Sequence, residues 1–241
     1  MAKTFLTTVP KLVSFVGGIY FLPTKHSDMP TFLALGLLIT LLLHHVSPNK
    51  TAVTHDPSDV VVITVNILMT AVVALAFVHY AEAGITSVDS LMDIPLYQYL
   101  FIPLWILVDE ILFFFIHRFA HRPGIYEHCH KLHHKHKITS SWTSFVAHPL
   151  DHLVAVLGAA LISPFLMLRL NVQATAPIVA MFLYGAIVTF INSHHTTVGT
   201  DGKPEGGDHL LHHTRFTVNY SNFGFFDVWN KSYLSSAKVA E

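Results

Sequence analysis

Histidine is the residue type that stands out in this sequence, with 19 copies in 241 residues against a single cysteine. Three segments, HRFAH, HKLHH and HLLHH, space their histidines three and four positions apart, and such positions share one face of an α-helix. The eight histidines are His117, His121, His130, His133, His134, His209, His212 and His213. One ion takes only about four to six ligands, so the pattern predicts a site for two metal ions.

Other residues could complete such a site. His148 in AHPLDH and His194 in NSHH are further candidate ligands, and His128, His136, His152 and His195 remain open. Acids near metal-bound imidazoles commonly accept the second ring N–H and so fix the orientation of the ring. The candidates for that role are Glu110, Asp151 and Asp208. The remaining histidines lie at the ends of apolar runs and are assigned no chemistry: His26, His44, His45, His55 and His79.

The composition limits both the metal chemistry and the class of protein. A lone cysteine, Cys129, excludes an internal disulfide framework and a thiolate-based zinc or iron–sulfur site, so the ligands must be nitrogen and oxygen. The chain is 52% hydrophobic and 12% charged, whereas an ordinary soluble domain carries about a quarter charged residues. A formal net charge of -1 argues against a nucleic-acid partner. The sequence is therefore typical of a membrane protein.

The apolar runs predict an all-α integral membrane protein with about four to six membrane helices, since a span needs about 20 apolar residues. The clearest runs are residues 60–80 and 96–116, the second interrupted by Asp109 and Glu110. Weaker runs cover residues 12–22 and 31–46, and two more surround Pro164 and Pro177. We expect residues 1–95 to supply N-terminal membrane segments and residues 96–241 to form the catalytic region, within one integrated domain.

The basic residues predict the orientation in the membrane. All five lysines and arginines between His117 and His148 would lie on one side, whereas the loop of residues 81–95 holds three acids and no base. Cytosolic loops carry the excess of basic residues in membrane proteins. The histidine segments are therefore expected to form a helical metal site on the cytosolic face.

Taken in order, HRFAH, HKLHH, AHPLD and HLLHHTRFTVNYSNFGFFDVWN resemble the signature of the fatty acid hydroxylase and sterol desaturase superfamily of membrane diiron oxygenases. The resemblance covers residues 109–229. The last block is most similar to that of sterol C5-desaturases, and AHPLD also resembles the corresponding segment of sterol C4-methyl oxidases. Phe113 stands where C4-methyl oxidases often have an extra histidine, which favours the C5-desaturase side.

The resemblance implies a membrane-bound enzyme that uses dioxygen and external electrons to hydroxylate or desaturate a lipid, a sterol or a fatty acyl chain. It implies two iron ions, held by His117, His121, His130, His133, His134, His148, His194, His209, His212 and His213. The electron donor would be a separate protein such as cytochrome b5 or a reductase, and the location would be the endoplasmic reticulum in a eukaryote. Zinc could replace iron in a purified sample, because imidazole-rich sites bind zinc more tightly than ferrous iron.

Two alternatives stay open on the sequence. A carotenoid hydroxylase would use histidine segments and chemistry of the same type on another substrate. A zinc-handling membrane protein would use the histidines to bind or pass ions. Transport sites, however, lie near the bilayer midplane on broken helices, whereas these histidines fall in polar segments.

Overall fold

The computed structural model describes residues 22–46, 55–137, 141–193 and 209–234. Almost all regular structure in these ranges is helical, which confirms the fold class predicted from the sequence. Five apolar helices form the body: α1 (Met29–Val46), α2 (Pro57–Tyr80), α3 (Phe101–Ala120), α4 (Ala159–Arg169) and α5 (Ala176–Ser193). Two short helices follow, α6 (His209–Arg215) and α7 (Phe225–Asn230).

Two helical segments in the described ranges, Pro57–Tyr80 and Leu96–Ala120, are long and apolar enough to cross a membrane. They contain the two runs that the sequence marked most clearly. The pair Pro149–Ala155 and Ala159–Arg169, bent by 47°, would make a third span if it crosses as one unit. The predicted weak run of residues 12–22 lies outside the described ranges except for Leu22.

Helix α2 begins at a capping box. The side chain of Asp56 accepts a hydrogen bond from the backbone N–H of Asp59 at 2.9 Å, and the side chain of Asp59 accepts from the backbone N–H of Asp56 at 3.3 Å. Pro57 follows at the first helical position, where its missing N–H costs nothing. The start of this helix is thus fixed by residues that also face the histidine segments.

The helix that precedes α4 is irregular in a way that matters for the site. A short turn at Pro149–Asp151 continues into a π-helix over His152–Gly158 before α4 begins. A π-helix holds an extra residue in its turn and is common at functional sites. This local geometry turns Asp151 and His152 inward, and both side chains are buried.

Two contacts hold the end of the molecule that is remote from the histidines. Strand β1 (Ile85–Thr86) pairs in parallel with β2 (Ala174–Thr175), with Ile85 opposite Ala174. The buried Gln98 side chain accepts hydrogen bonds from the backbone N–H and the hydroxyl of Thr175, both at 2.8 Å.

The apolar core lies between α1, α3 and α5, where the rings of Trp105 and Phe182 meet edge to face at 5.1 Å.

Helix α2 also carries a segment that faces the histidines. The buried Asn66 side chain donates to the carbonyl oxygens of Phe145 and Ala147, each at 2.8 Å. Ile63 packs with Phe145 and Val146 in a second, smaller apolar cluster. These contacts fix the turn before Pro149 against α2, and so position the π-helix that follows.

Candidate metal centre

Eight histidine side chains from the three segments converge at the end of α3. They form two adjacent groups, and within each group one ring nitrogen per residue lies within 4.8 Å of the others. The five-histidine group contains His117, His121, His130, His134 and His212. The three-histidine group contains His133, His209 and His213. The predicted convergence of distant segments is therefore present in the structure.

Each HxxHH segment contributes to both groups. His209 and His213 belong to the three-histidine group while His212, which lies between them in sequence, belongs to the five-histidine group. On an α-helix positions i and i+4 are about 40° apart, whereas i+3 lies about 60° to the other side of i. The second segment shows the reverse assignment, since His130 and His134 share the larger group and His133 faces the smaller one. Each HxxHH segment thus places two histidines in one group and its third histidine in the other group.

The second histidine segment reaches this arrangement without a regular α-helix. A π-helix covers Tyr126–His130 and a 3-10 turn covers His133–Lys135, so the α-helix expected from its spacing is not formed. Gly124 precedes it with φ of +83°, a conformation that glycine adopts without steric cost. The tight turn brings the chain back against α3, which places His130 beside His117.

The Nε2 atoms of the five-histidine group point at one another. Nε2 of His134 lies 3.2 Å from that of His121 and 3.1 Å from that of His212. It is also 3.1 Å from Nε2 of His130. Nε2 of His117 lies 3.1 Å from that of His130, and those of His121 and His212 are 2.9 Å apart. Five ring nitrogens therefore surround one small volume.

The outer nitrogens of His117 and His130 show that the contact between the Nε2 atoms of these two rings is not a hydrogen bond. Nδ1 of His117 lies 2.6 Å from the carbonyl oxygen of Tyr220, and Nδ1 of His130 lies 2.8 Å from a carboxylate oxygen of Asp151. These oxygens only accept, so each Nδ1 carries a proton, and the Nε2 atom of each ring is the one that can present a lone pair to an ion. Two lone pairs at 3.1 Å repel each other, and a cation between them removes the repulsion. The donor set therefore fits a metal ion.

The site keeps its imidazoles in the form that binds metals. Burial first, and then the neighbouring His130, lower the pKa of His121 to about 3. Burial also lowers the pKa of His134 and that of His212 well below the ordinary value. A buried imidazolium is disfavoured because the interior solvates charge poorly. All three rings are neutral at physiological pH and can act as ligands.

The predicted supporting acids occupy different places. Asp151 contacts His130 directly, in the way proposed for an orienting carboxylate. Glu110 is fully buried, but its carboxylate accepts from the backbone N–H groups of Asn222, Phe223 and Phe225 at 3.0 to 3.2 Å. Glu110 therefore holds the loop that follows Tyr220, and it is the carbonyl of Tyr220 that contacts His117. Asp208 and His194 lie outside the described residues.

Sequence reasoning missed Asp227. Its buried carboxylate accepts hydrogen bonds from the backbone N–H groups of Tyr220 and Ser221 at 2.9 and 2.7 Å, and from the Ser221 hydroxyl at 2.6 Å. It thereby fixes the carbonyl group that accepts from His117. The only sequence signal is one acid within the aromatic stretch FGFFDVWN.

His148 and His152 differ sharply in position. His148 is exposed, and its Nδ1 accepts from the backbone N–H of Leu150 at 3.2 Å, which caps a short helix outside the two groups. His152 is buried, and its Nε2 lies 2.8 Å from the hydroxyl of Thr70. It lines a cavity with about 20 Å³ of room for a water-sized molecule, which also touches His117, His130, His133, His209 and Phe113. His152 faces the candidate centre and His148 does not.

Several curated proteins are similar to this chain. A Delta(7)-sterol 5(6)-desaturase (erg3B) of Aspergillus fumigatus is 33% identical over 142 residues, which cover 58% of this chain and 41% of the relative. A second one (erg3C) from that organism is 28% identical, over 57% of this chain and 50% of its own length. Fatty acid hydroxylase domain-containing protein 2 of Macaca fascicularis is 28% identical, over 56% and 39%.

The matches to these relatives cover about two fifths to one half of their lengths. No solved structure matches the chain significantly. The sequence profile described as fatty acid hydroxylase matches residues 102–232, a range that includes α3 from its second residue, both HxxHH segments and the loop held by Glu110 and Asp227. The chain therefore belongs to the fatty acid hydroxylase family.

Proposed function

We propose that this chain is a membrane-bound lipid hydroxylase or desaturase that uses two iron ions, dioxygen and electrons from a separate donor. The observation that carries the proposal is the pair of adjacent histidine groups, built from segments that are far apart in sequence. The family membership and the sterol desaturases among the relatives support a lipid as substrate. A sterol or a fatty acyl chain is the substrate class we favour.

Two bound iron ions would supply the oxygen and redox chemistry needed to oxidise an unactivated C–H bond. The chain itself supplies the holding groups, which we assign as the eight histidines of the two groups, with His194 as a further candidate. Tyr220, through its carbonyl, and Asp151, through its carboxylate, keep the rings of His117 and His130 oriented. Phe113, Ala147 and Ala155 form the apolar part of the lining of the adjoining cavity.

The surface beside the centre suits access from a lipid layer. Helix α7 exposes Phe225 by 64% and Trp229 by 74%, and α3 exposes Phe115 and Phe119 nearby in the fold. Aromatic rings concentrate at the membrane–water interface. We infer that the centre lies at the cytosolic face, in the endoplasmic reticulum in a eukaryote, where a separate donor such as cytochrome b5 or a reductase can reach it.

The test removes one ligand from each group. His133→Ala and His212→Ala, expressed separately in cells, should each abolish oxidised lipid in mass profiles of the membranes. His128→Ala is the matched control, because His128 is an exposed histidine of the same segment. Equal amounts of protein in the membrane fraction show that insertion is retained. Full product formation by both ligand variants would refute the proposed centre.

The same system separates the alternatives. Membranes supplied with sterols or with carotenoids, and analysed for oxidised products, distinguish the two substrate classes. Anaerobic loading of the purified protein with ferrous iron, followed by oxygen-dependent turnover, distinguishes an oxidase from a protein that only binds or passes zinc.

A further inference from the structure

A third group of potential ligands lies where the start of α2 meets the second histidine segment. His55, Asp59 and His136 each place one donor atom within 4.8 Å of the others. Nε2 of His136 is 2.9 Å and Nδ1 of His55 is 3.8 Å from the same oxygen of Asp59, Oδ2. Ligands about 2.0 to 2.2 Å from one ion stand about 3 to 3.6 Å apart. Small shifts of the His55 ring would therefore bring the three atoms to coordination distance.

The described part of the chain leaves one nitrogen of His55 without a partner. Its Nδ1 is buried, and within the described residues it has no hydrogen-bond partner. Burial, followed by the nearby His136, lowers the pKa of His55, so its ring is neutral at physiological pH. A neutral imidazole with a buried and unpaired nitrogen is a costly arrangement unless a ligand satisfies it.

The charges around Asp59 also leave room for a cation. The side chain of Asp59 is only 1% exposed, and Lys135 donates from Nζ to its other oxygen, Oδ1, at 2.6 Å. The same ammonium group contacts Asp56 at 2.6 Å. Two carboxylates therefore share one lysine. The other oxygen, Oδ2, is the one that lies beside His55 and His136.

We propose that His55, Asp59 and His136 form a separate site for one divalent ion of the zinc class. Two imidazoles, one carboxylate and a water in the fourth position are a ligand set that zinc commonly takes. The ion would join the start of α2 to the second histidine segment. The backbone carbonyl of His136 lies 3.2 Å from Nδ1 of His213, a member of the three-histidine group. An ion bound to His136 would therefore also fix the carbonyl group that orients the His213 ring.

The test counts zinc on the purified full chain, by competition with a chromophoric chelator followed by elemental mass spectrometry. The unsubstituted chain should bind one more equivalent of zinc than either His55→Gln or His136→Gln. His128→Gln, which changes an exposed histidine eight positions before His136, should bind as much as the unsubstituted chain. His55→Gln leaves the contact between Lys135 and Asp59 intact, so its unfolding temperature in zinc-free buffer should match that of the unsubstituted chain.

Equal zinc contents in the unsubstituted chain and in both variants would overturn the proposal and leave the cluster as an ion-pair network. The zinc measurement tests this site without relying on lipid oxidation. If the extra equivalent is present in a chain that oxidises no lipid, the oxidase function fails and the zinc site stands. If lipid is oxidised and the extra equivalent is absent, the reverse holds.

Discussion

Asp151 accepts a hydrogen bond from Nδ1 of His130 at 2.8 Å, although 21 positions separate the two residues in the sequence. The carboxylate fixes the orientation of the ring, and removal of such a partner typically lowers metal affinity by about 10- to 100-fold. We predict a loss of this size in Asp151→Asn. Chelator competition on the purified protein measures it, and Asp93→Asn, at an exposed position, is the control. An unchanged affinity in Asp151→Asn would contradict the orienting role.

Asp227 is expected to matter through stability. Its carboxylate satisfies two backbone N–H groups and the hydroxyls of Ser221 and Ser232 in a buried setting. Asp227→Asn places an amide N–H₂ against these donors and leaves some of them unpaired, at a cost of about 1–3 kcal/mol in the free energy of unfolding. Thermal unfolding in detergent tests this, with Asp89→Asn as the exposed control. Equal unfolding temperatures of the two variants would contradict a contribution of this network to the stability of the fold.

The position of His148 gives a prediction that opposes the expectation from the sequence. Because His148 caps a short helix outside both groups, His148→Gln should retain the full metal content of the purified protein. His134→Gln should lose about one equivalent, since His134 contacts three other rings of the five-histidine group. Elemental analysis of the two variants decides between them. Loss of an ion from His148→Gln would restore the ligand role predicted from AHPLDH.

The stability of the metal-free chain should fall in acid. The pKa of His121 is about 3 in the folded chain, against an ordinary value of 6.5. Between these values the unfolded chain binds a proton that the folded chain excludes, so lowering the pH favours unfolding. Stability is therefore complete above about pH 6.5 and is lost as the pH falls toward 3.

Unfolding temperatures of the metal-free protein at pH 7.5, 6 and 5 check this prediction. His121→Gln should show a shallower decline than the unsubstituted chain, because it removes one of the groups that gain a proton on unfolding. Identical slopes for the two proteins would show that His121 titrates as it does in water.

The apolar helices and the histidine segments could be predicted from the sequence because both signals are local. The spans depend on uninterrupted apolar runs, and the HxxHH spacing describes a helical face without reference to the rest of the chain. The division of each segment between two groups is not local. It depends on the angle at which α6 and the turn at His133–Lys135 meet α3, and no spacing rule contains that angle.

The supporting residues were harder to predict for the same reason. Glu110 lies two helical turns from His117 on α3, which suggested a contact with the ring, but its carboxylate meets backbone groups more than 110 residues further along the chain. Asp227 and Asn66 likewise act on carbonyl and N–H groups whose positions only tertiary packing defines. Sequence patterns report side chains that share an element, and these contacts join different elements.

The Nε2 atoms of His121 and His212 are 2.9 Å apart, and 91 positions separate the two residues in sequence. An ion bound to both closes a loop of that length, as a disulfide crosslink would, and restricts the unfolded ensemble. The chain-entropy estimate for such a loop is about 4 to 5 kcal/mol. A cell that is short of transition metal during synthesis should therefore accumulate less of this protein, because newly made chains would lack the crosslink and become substrates of quality-control proteolysis.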